Sequence, residues 1–126
     1  MDFGKVLKLI ISEFNKENIN YALMGGFAIG VWGIVRATMD LDFLVDYNDL
    51  PKVEKIMKKY YYECVYKTKN VSQFVSYFKP FGEIDLLHAF RDISLSMLAR
   101  SKEVSVFEGK SKVKVLIPED IIGLKL

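Results

Sequence analysis

Two aspartates, Asp40 and Asp42, stand one residue apart at the start of the apolar stretch DLDFLVD. The stretch predicts a β-strand, and side chains two residues apart on a strand point to the same face. Neighbouring carboxylates repel each other unless a cation lies between them. A hard cation such as Mg²⁺ needs only one or two carboxylates together with phosphate oxygens, so the spacing indicates a metal site. The alternative is a solvated strand end without metal, and Asp46 at the strand exit is expected to be a loop-capping acid of that kind.

A third aspartate, Asp85, stands in a second apolar stretch, GEIDLL, which also predicts a strand. Ile84 and Leu86 would lie on the opposite face from Asp85, whereas Glu83 would share its face nearer to the preceding turn. A single acid on the wet face of a strand is common. Beside the Asp-Leu-Asp strand, however, Asp85 becomes a candidate third metal ligand.

Two glycines, Gly25 and Gly26, directly follow the apolar stretch YALM and precede FAIGVWGIV. YALM predicts a short buried strand, and FAIGVWGIV predicts a short helix. Glycine lets a phosphate approach the backbone, and the start of a helix offers free N–H groups. On its own the pair favours a tight strand-to-helix turn. Together with the aspartates it becomes a candidate phosphate-binding loop.

The elements that must position these residues alternate between helices and strands. Their order predicts an α/β fold in which helices pack on a mixed sheet. The helix that follows the Asp-Leu-Asp strand begins with Asn48 or Asp49 as its N-cap and has Pro51 in its first turn. In chain order the predicted elements are the helix GKVLKLIISEFNKENIN, the strand YALM, the helix FAIGVWGIV, the strand LDFLV, the helix YNDLPKVEKIMKKYYY, the strands SQFVSYFK and EIDLLHAF, the short helix SLSMLARS, the hairpin EVSVFEGKSKVKVLI, and a helix from Pro118 to Leu126.

The composition predicts one domain over residues 1–126, with a net charge of +2 that does not by itself indicate nucleic acid or a membrane surface. The lysine runs at 52–59 and 110–114 are expected to be solvated faces. The one cysteine, Cys64, is expected to be a buried thiol in a reducing compartment. The longest uncharged apolar run, residues 21–35, has 15 residues, and a membrane span needs about 20. The N-terminus lacks a secretory signal, so we expect a cytoplasmic protein.

The stretch LMGGFAIGVWGIVRATMDLDFLV resembles the signature of the nucleotidyltransferase-fold superfamily, to which DNA polymerase beta belongs. That signature is an apolar residue, Gly-Gly or Gly-Ser, a spacer, and Asp-apolar-Asp-apolar; here the spacer, 27–39, has 13 residues. Asp85 stands where the family has a third acid on a later strand. The tail VLIPEDIIGLKL is similar to the segment that follows the catalytic sheet, so the resemblance runs from about Ile19 to the end of the chain. The pattern of glycines, arginine, threonine and aspartates in this stretch is most similar to that of minimal nucleotidyltransferases and of toxins of abortive-infection and toxin–antitoxin systems.

This resemblance implies the nucleotidyltransferase fold and a Mg²⁺-dependent transferase. It implies that two Mg²⁺ ions, or Mn²⁺ in their place, are held by Asp40, Asp42 and Asp85, and that Asp85 is the candidate general base. A nucleoside triphosphate would lie with its phosphates against Gly25 and Gly26. An acceptor hydroxyl on RNA, a protein or a small molecule would attack the α-phosphorus and release pyrophosphate. The toxin-like relatives also imply a helical antitoxin partner.

The sequence also suggests roles for four other residues. Arg36 contacts the triphosphate or pairs with an aspartate, and Thr38 orders the aspartates through a hydrogen bond. His88 is expected to be a core or rim histidine, and Lys125 a surface lysine that could approach the triphosphate. The resemblance implies a last helix that is incomplete at Leu126, because relatives continue beyond this point. The alternative function is a non-catalytic module that binds a nucleotide or a partner on the same fold.

Overall fold

The computed structural model of the chain describes residues 3–24, 40–78, 81–106 and 111–124. Within these ranges it contains four α-helices, one short 3₁₀-helix and seven strands. In chain order they are α1 (Phe3–Lys16), β1 (Tyr21–Met24), β2 (Asp40–Asp46), the 3₁₀-helix (Tyr47–Asp49), α2 (Leu50–Lys59), β3 (Tyr62–Lys67), β4 (Val71–Ser76), β5 (Glu83–Ala89), α3 (Asp92–Arg100), β6 (Lys102–Val106), β7 (Ser111–Val115) and α4 (Pro118–Leu124). The helix predicted from FAIGVWGIV lies outside the described residues.

The strands form one mixed sheet in the order β3-β4-β5-β2-β1-β7-β6. β2 pairs with β5 in parallel, and β1 pairs with β7 in parallel. The other neighbouring strands are antiparallel, including the predicted β6–β7 hairpin. This architecture confirms the predicted α/β fold with a mixed sheet and helices packed on it.

Helix α1 packs on one face of the sheet, which we call the helix face, through aromatic contacts. The ring of Phe14 lies 5.1 Å from that of Tyr21 and 5.4 Å from that of Phe43, measured between centroids. Helix α2 contacts α1 and therefore lies on the same side. Leu41, Phe43 and Val45, which alternate along β2, are completely buried. The prediction that these three residues anchor β2 in the core is confirmed.

The opposite face of the sheet, which we call the open face, carries residues 40, 42, 44 and 46 of β2 and residues 83, 85, 87 and 89 of β5. Leu44 and Ala89, near the carboxyl ends of these strands, are completely buried. Helix α3 contacts β2, and we infer that it covers this end because α1 and α2 occupy the other face. Asp42 and Asp85, nearer the amino ends, are only half-buried. The fold thus leaves the carboxylate end of the open face accessible.

Strand β3 is not predicted by the sequence pattern, which favours a continuation of the preceding helix through Tyr62. The helix ends at Lys59, and Tyr61 has a left-handed φ of 65°, which a right-handed helix does not continue. β3 is an edge strand that is exposed at every position except Tyr62. It therefore lacks the alternation of apolar and polar residues that predicts a half-buried strand. The predicted strand SQFVSYFK is also shorter than expected, because β4 ends at Ser76 and the chain turns there.

The expectation that Cys64 is a buried thiol is wrong. Cys64 lies on β3 and its side chain is exposed. An edge strand has a neighbour on one side only, and residues 63–67 all remain exposed. The general tendency of free cysteines to be buried therefore does not hold at this position.

Candidate active site

Strands β2 and β5 bring two of the sequence-predicted acids together at the centre of the sheet. Their parallel register pairs Asp42 with Asp85 and Asp40 with Glu83. Register partners on neighbouring strands share a face and have backbones about 4.8 Å apart. Four acidic residues therefore occupy a two-by-two array of positions at the amino ends of β2 and β5.

Asp42 and Asp85 are partly shielded from solvent. Both residues are half-buried, and the Oδ1 atom of Asp85 is buried. Both residues also make polar or electrostatic interactions elsewhere in the chain. The backbone of Asp40 begins β2, but its side chain lies outside the described part of the structure.

The donor set fits a hard divalent cation. Asp42 and Asp85 offer only carboxylate oxygens, and Mg²⁺ is bound in proteins through one or two carboxylates together with phosphate and water oxygens. Among the described side chains no group of three or more His, Cys, Asp or Glu residues is placed to hold a metal. The described side chains supply a two-carboxylate pair, which Asp40 is positioned in sequence to extend.

Glu83, which the sequence places on the Asp85 face nearer to the turn, belongs to the same surface. Its Oε1 atom accepts a hydrogen bond from Nε2 of Gln73 at 2.9 Å, and Gln73 is itself the register partner of Asp85. The period-two spacing of Glu83 and Asp85 was a signal for this arrangement, but the cross-strand contact with Gln73 was not readable from the sequence.

A small depression adjoins the carboxylate pair. It has a volume of about 170 Å³ and is lined by the apolar residues Met24, Val71 and Leu87 beside Asp42 and Asp85. A larger hollow of about 630 Å³ runs along α1 and is lined by Lys5, Lys8 and Lys112 among others. Because α1 packs on the helix face, we base the site on the carboxylates and not on this hollow.

The phosphate-loop residues Gly25 and Gly26, together with Arg36 and Thr38, lie outside the described residues, as does Lys125. The described end of β1 nevertheless lies next to the candidate site. Met24, the last residue of β1, is the register partner of Asp42. The residue that precedes Gly25 in the chain therefore lies beside the carboxylate pair.

Two further acids near β2 have structural roles. Oδ1 of Asp46 accepts a hydrogen bond from the backbone N–H of Asn48 at 2.9 Å, which confirms the expected loop-capping role. Asp49 occupies the N-cap position of α2 without capping it, and its Oδ2 instead accepts a hydrogen bond from the backbone N–H of Asn20 at 2.9 Å.

His88 is a core histidine, as expected. It lies on the helix face with 4% of its surface exposed. Its Nδ1 lies 2.8 Å from the carbonyl oxygen of Lys69, to which it donates, and its Nε2 accepts from the Ser72 hydroxyl. Burial lowers the pKa of His88 below its usual 6.5, because the interior disfavours the charged imidazolium. One ring nitrogen thus joins β5 to β4, and the other joins β5 to the turn between β3 and β4.

No family model matches the chain, and no curated protein sequence matches it. Within residues 3–24, 40–78, 81–106 and 111–124, no helix has the length and apolar character needed to cross a membrane.

Solved structures do match. The lincosamide antibiotic adenylyltransferase LnuA, in its lincomycin-bound form, aligns with a TM-score of 0.76 and 16% identity over 97% of this chain and 85% of its own. TM1012 from Thermotoga maritima, which is described as a nucleotidyltransferase, aligns with a TM-score of 0.74 and 14% identity over 98% of this chain and 82% of its own. ANT(2'')-Ia in complex with adenylyl-2''-tobramycin aligns with a TM-score of 0.73 and 18% identity over 94% of this chain and 71% of its own. Together with the mixed sheet described above, these likenesses show that the chain has the nucleotidyltransferase fold.

Proposed function

We propose that the chain is a divalent-metal-dependent nucleotidyltransferase, which moves a nucleoside monophosphate from a nucleoside triphosphate to an acceptor hydroxyl. The observation that carries this proposal is the register of Asp42 with Asp85 on neighbouring parallel strands. The fold is similar to those of the lincosamide adenylyltransferase LnuA and of ANT(2'')-Ia bound to an adenylylated antibiotic. The carboxylate pair and the fold support the same chemistry independently.

Asp42 and Asp85 would hold the metal, with Asp40 as a further ligand. When bound, two Mg²⁺ ions, or Mn²⁺ in their place, would neutralise charge on the triphosphate and lower the pKa of the acceptor hydroxyl. The protein's own contribution is position, because β2 and β5 fix the two carboxylates in the rigid centre of the sheet. We expect the loss of either carboxylate to remove activity without disrupting the fold.

The strand order provides separate sides for the two substrates. β1 lies on one side of β2 and leads into Gly25 and Gly26, so the triphosphate would lie there, with Arg36 and Thr38 as further contacts. β5 lies on the other side of β2, so the acceptor hydroxyl would approach over Asp85.

Asp85 would act as the general base. One of its carboxylate oxygens takes the proton of the acceptor hydroxyl while the hydroxyl oxygen attacks the α-phosphorus. The new O–P bond forms as the bond from the α-phosphorus to the bridging oxygen breaks, and that electron pair leaves with pyrophosphate. The proton then passes from Asp85 to solvent, which restores the base.

The test is transfer of label from α-³²P nucleoside triphosphates in the presence of Mg²⁺ and cell extract, with pyrophosphate release followed in parallel. We expect label in an RNA, a protein or a small molecule with the parent protein, and none with Asp42→Ala. Asp46→Ala removes an acid from the same strand face and should retain transfer. Equal behaviour of the parent and Asp42→Ala, with no labelled product, would refute the proposal. Nucleotide binding without pyrophosphate release would instead identify a non-catalytic binding module.

A biological role as a toxin or phage-defence component, with a helical antitoxin partner, rests on the motif resemblance alone. In this role the protein would act in the cytoplasm, where nucleoside triphosphates are available. Expression of the parent chain should then arrest growth, whereas expression of Asp42→Ala should not. Normal growth with a parent protein that is active in the transfer assay would exclude the toxin role.

A further inference from the structure

The open face continues outward from Asp85 across β4 and β3 to the edge of the sheet. Gln73 is the register partner of Asp85, and Tyr66 is the register partner of Gln73. One step towards the amino end of β5, Glu83 pairs with Val75 in the same way. We call this region the edge surface; its residues are Glu63, Tyr66, Gln73, Val75, Tyr77 and Glu83.

The apolar side chains of the edge surface are open to solvent. Val75 is 38% exposed, Tyr66 55% and Tyr77 73%. Most of the large apolar side chains that are exposed in the described part of the chain lie on β3, β4 and their flanking turns. Exposed apolar side chains concentrated beside a candidate site are typical of a binding surface.

The edge surface is also acidic. Its charged residues are Glu63, which accepts a hydrogen bond from the Tyr77 hydroxyl at 2.9 Å, and Glu83, which accepts one from Gln73 at 2.9 Å. Each glutamate is therefore held in place on the surface and retains acceptor capacity for a ligand.

Among the described residues, the basic ones lie elsewhere. The chain has 18 Lys and Arg residues, but none occupies a described open-face position of β3, β4 or β5. Lysines instead line the hollows along α1 and α2, on the helix face. A phosphate-rich acceptor such as RNA would meet like charge on the edge surface, whereas an amine would meet opposite charge.

We propose that the edge surface binds the acceptor and selects a small molecule that carries amino groups on an apolar or ring-shaped frame. This inference rests on the proposed function, because it assigns the acceptor class of the same site. The surface runs directly to Asp85, so an acceptor bound there reaches the candidate base. The depression of about 170 Å³ beside Asp42 and Asp85 has room for about one ring, since a cavity of about 150 Å³ holds benzene.

The test measures the binding of tobramycin, an amino sugar, and of raffinose, a neutral sugar of similar size, by calorimetry at low salt. Glu63→Gln and Glu83→Gln each remove one charge and keep the side-chain size. Glu103→Gln on β6, at the opposite edge of the sheet, is the matched control. We expect tobramycin to bind more tightly than raffinose. Each edge-surface variant should weaken tobramycin binding about 2- to 5-fold, as for a partly exposed ion pair.

Raffinose binding should not change in either variant, and Mg²⁺–ATP binding should not change in Glu63→Gln, which separates recognition of the amine from a structural effect. Equal affinity for the two sugars would overturn the inference. So would a loss in Glu103→Gln as large as in the edge-surface variants, or tighter binding of the parent protein to tRNA than to tobramycin. If tobramycin binding depends on Glu63 and Glu83 while no label is transferred to any acceptor, the proposed function fails and the amine selectivity of the edge surface is supported.

Discussion

Replacing Asp85 with Asn should stabilise the metal-free protein while it abolishes transfer. Asp42 and Asp85 are register partners on adjacent strands, whose backbones lie about 4.8 Å apart. Two unit charges about 5 Å apart repel by about 3 kcal/mol at an effective dielectric constant of 20 and by about 1 kcal/mol in bulk water. Both residues are half-buried, so we expect a gain of about 1 to 3 kcal/mol in the free energy of unfolding. Each kcal/mol should raise the Tm of a domain of this size by about 3 to 6 °C.

Mg²⁺ should reverse the order of stabilities. A cation that binds only the folded parent protein raises its stability by RT ln(1 + [Mg²⁺]/Kd). Asp85→Asn lacks one of the proposed ligands and should gain little over the same concentration range. Asp46→Asn is the matched control, because it removes a charge from the same face of β2. An Asn side chain there can still accept the hydrogen bond that Asp46 accepts from Asn48, so this variant should follow the parent.

The assay is thermal unfolding in EDTA and then in increasing Mg²⁺, with label transfer measured on the same preparations. An Asp85→Asn variant that melts at or below Asp46→Asn in EDTA would show that the interactions which Asp85 makes elsewhere in the chain outweigh its repulsion from Asp42. An Mg²⁺ response equal to that of the parent would show that Asp85 is not a ligand. Either result would refute the reasoning that places a metal between the two strands.

Three further predictions concern the fold. Burial lowers the pKa of His88 below 6.5, so the unfolded state binds more protons at this residue than the folded state does. The contribution of His88 to the free energy of unfolding should therefore be complete above pH 6.5 and decrease at lower pH. The urea midpoints measured at about pH 7.5 and at about pH 5.5 should differ less in His88→Gln than in the parent. Arg100 donates two hydrogen bonds, of 2.8 and 3.0 Å, to the carboxylate of the buried Asp120, and Arg100→Ala should lower the Tm because it removes both. Arg100→Lys should restore only part of the loss, because lysine cannot form the bidentate contact. Cys64 is exposed and should react with a thiol reagent such as DTNB in the folded protein nearly as fast as in urea; slow reaction before unfolding would contradict its position on the edge strand.

Local patterns in the sequence predicted much of the fold correctly. The alternation of Leu41, Phe43 and Val45 with acids identified both faces of β2, because side-chain direction along a strand depends only on its period of two. The helix α1, the start of α2 and the β6–β7 hairpin also follow from periodicity and from turn residues near their ends. Periodicity failed at β3, where an edge strand exposed on both faces carries no alternating pattern.

The sequence by itself determined which acids lie on the same face within each strand, and the motif resemblance indicated the fold that would combine them. Only the tertiary structure decided that Asp42 lies beside Asp85 and Asp40 beside Glu83, because parallel pairing joins strands that are far apart in the chain. It also decided that Gln73 holds Glu83 and that Cys64 is exposed. Those contacts depend on strand order and register across the sheet, which no short stretch of sequence contains.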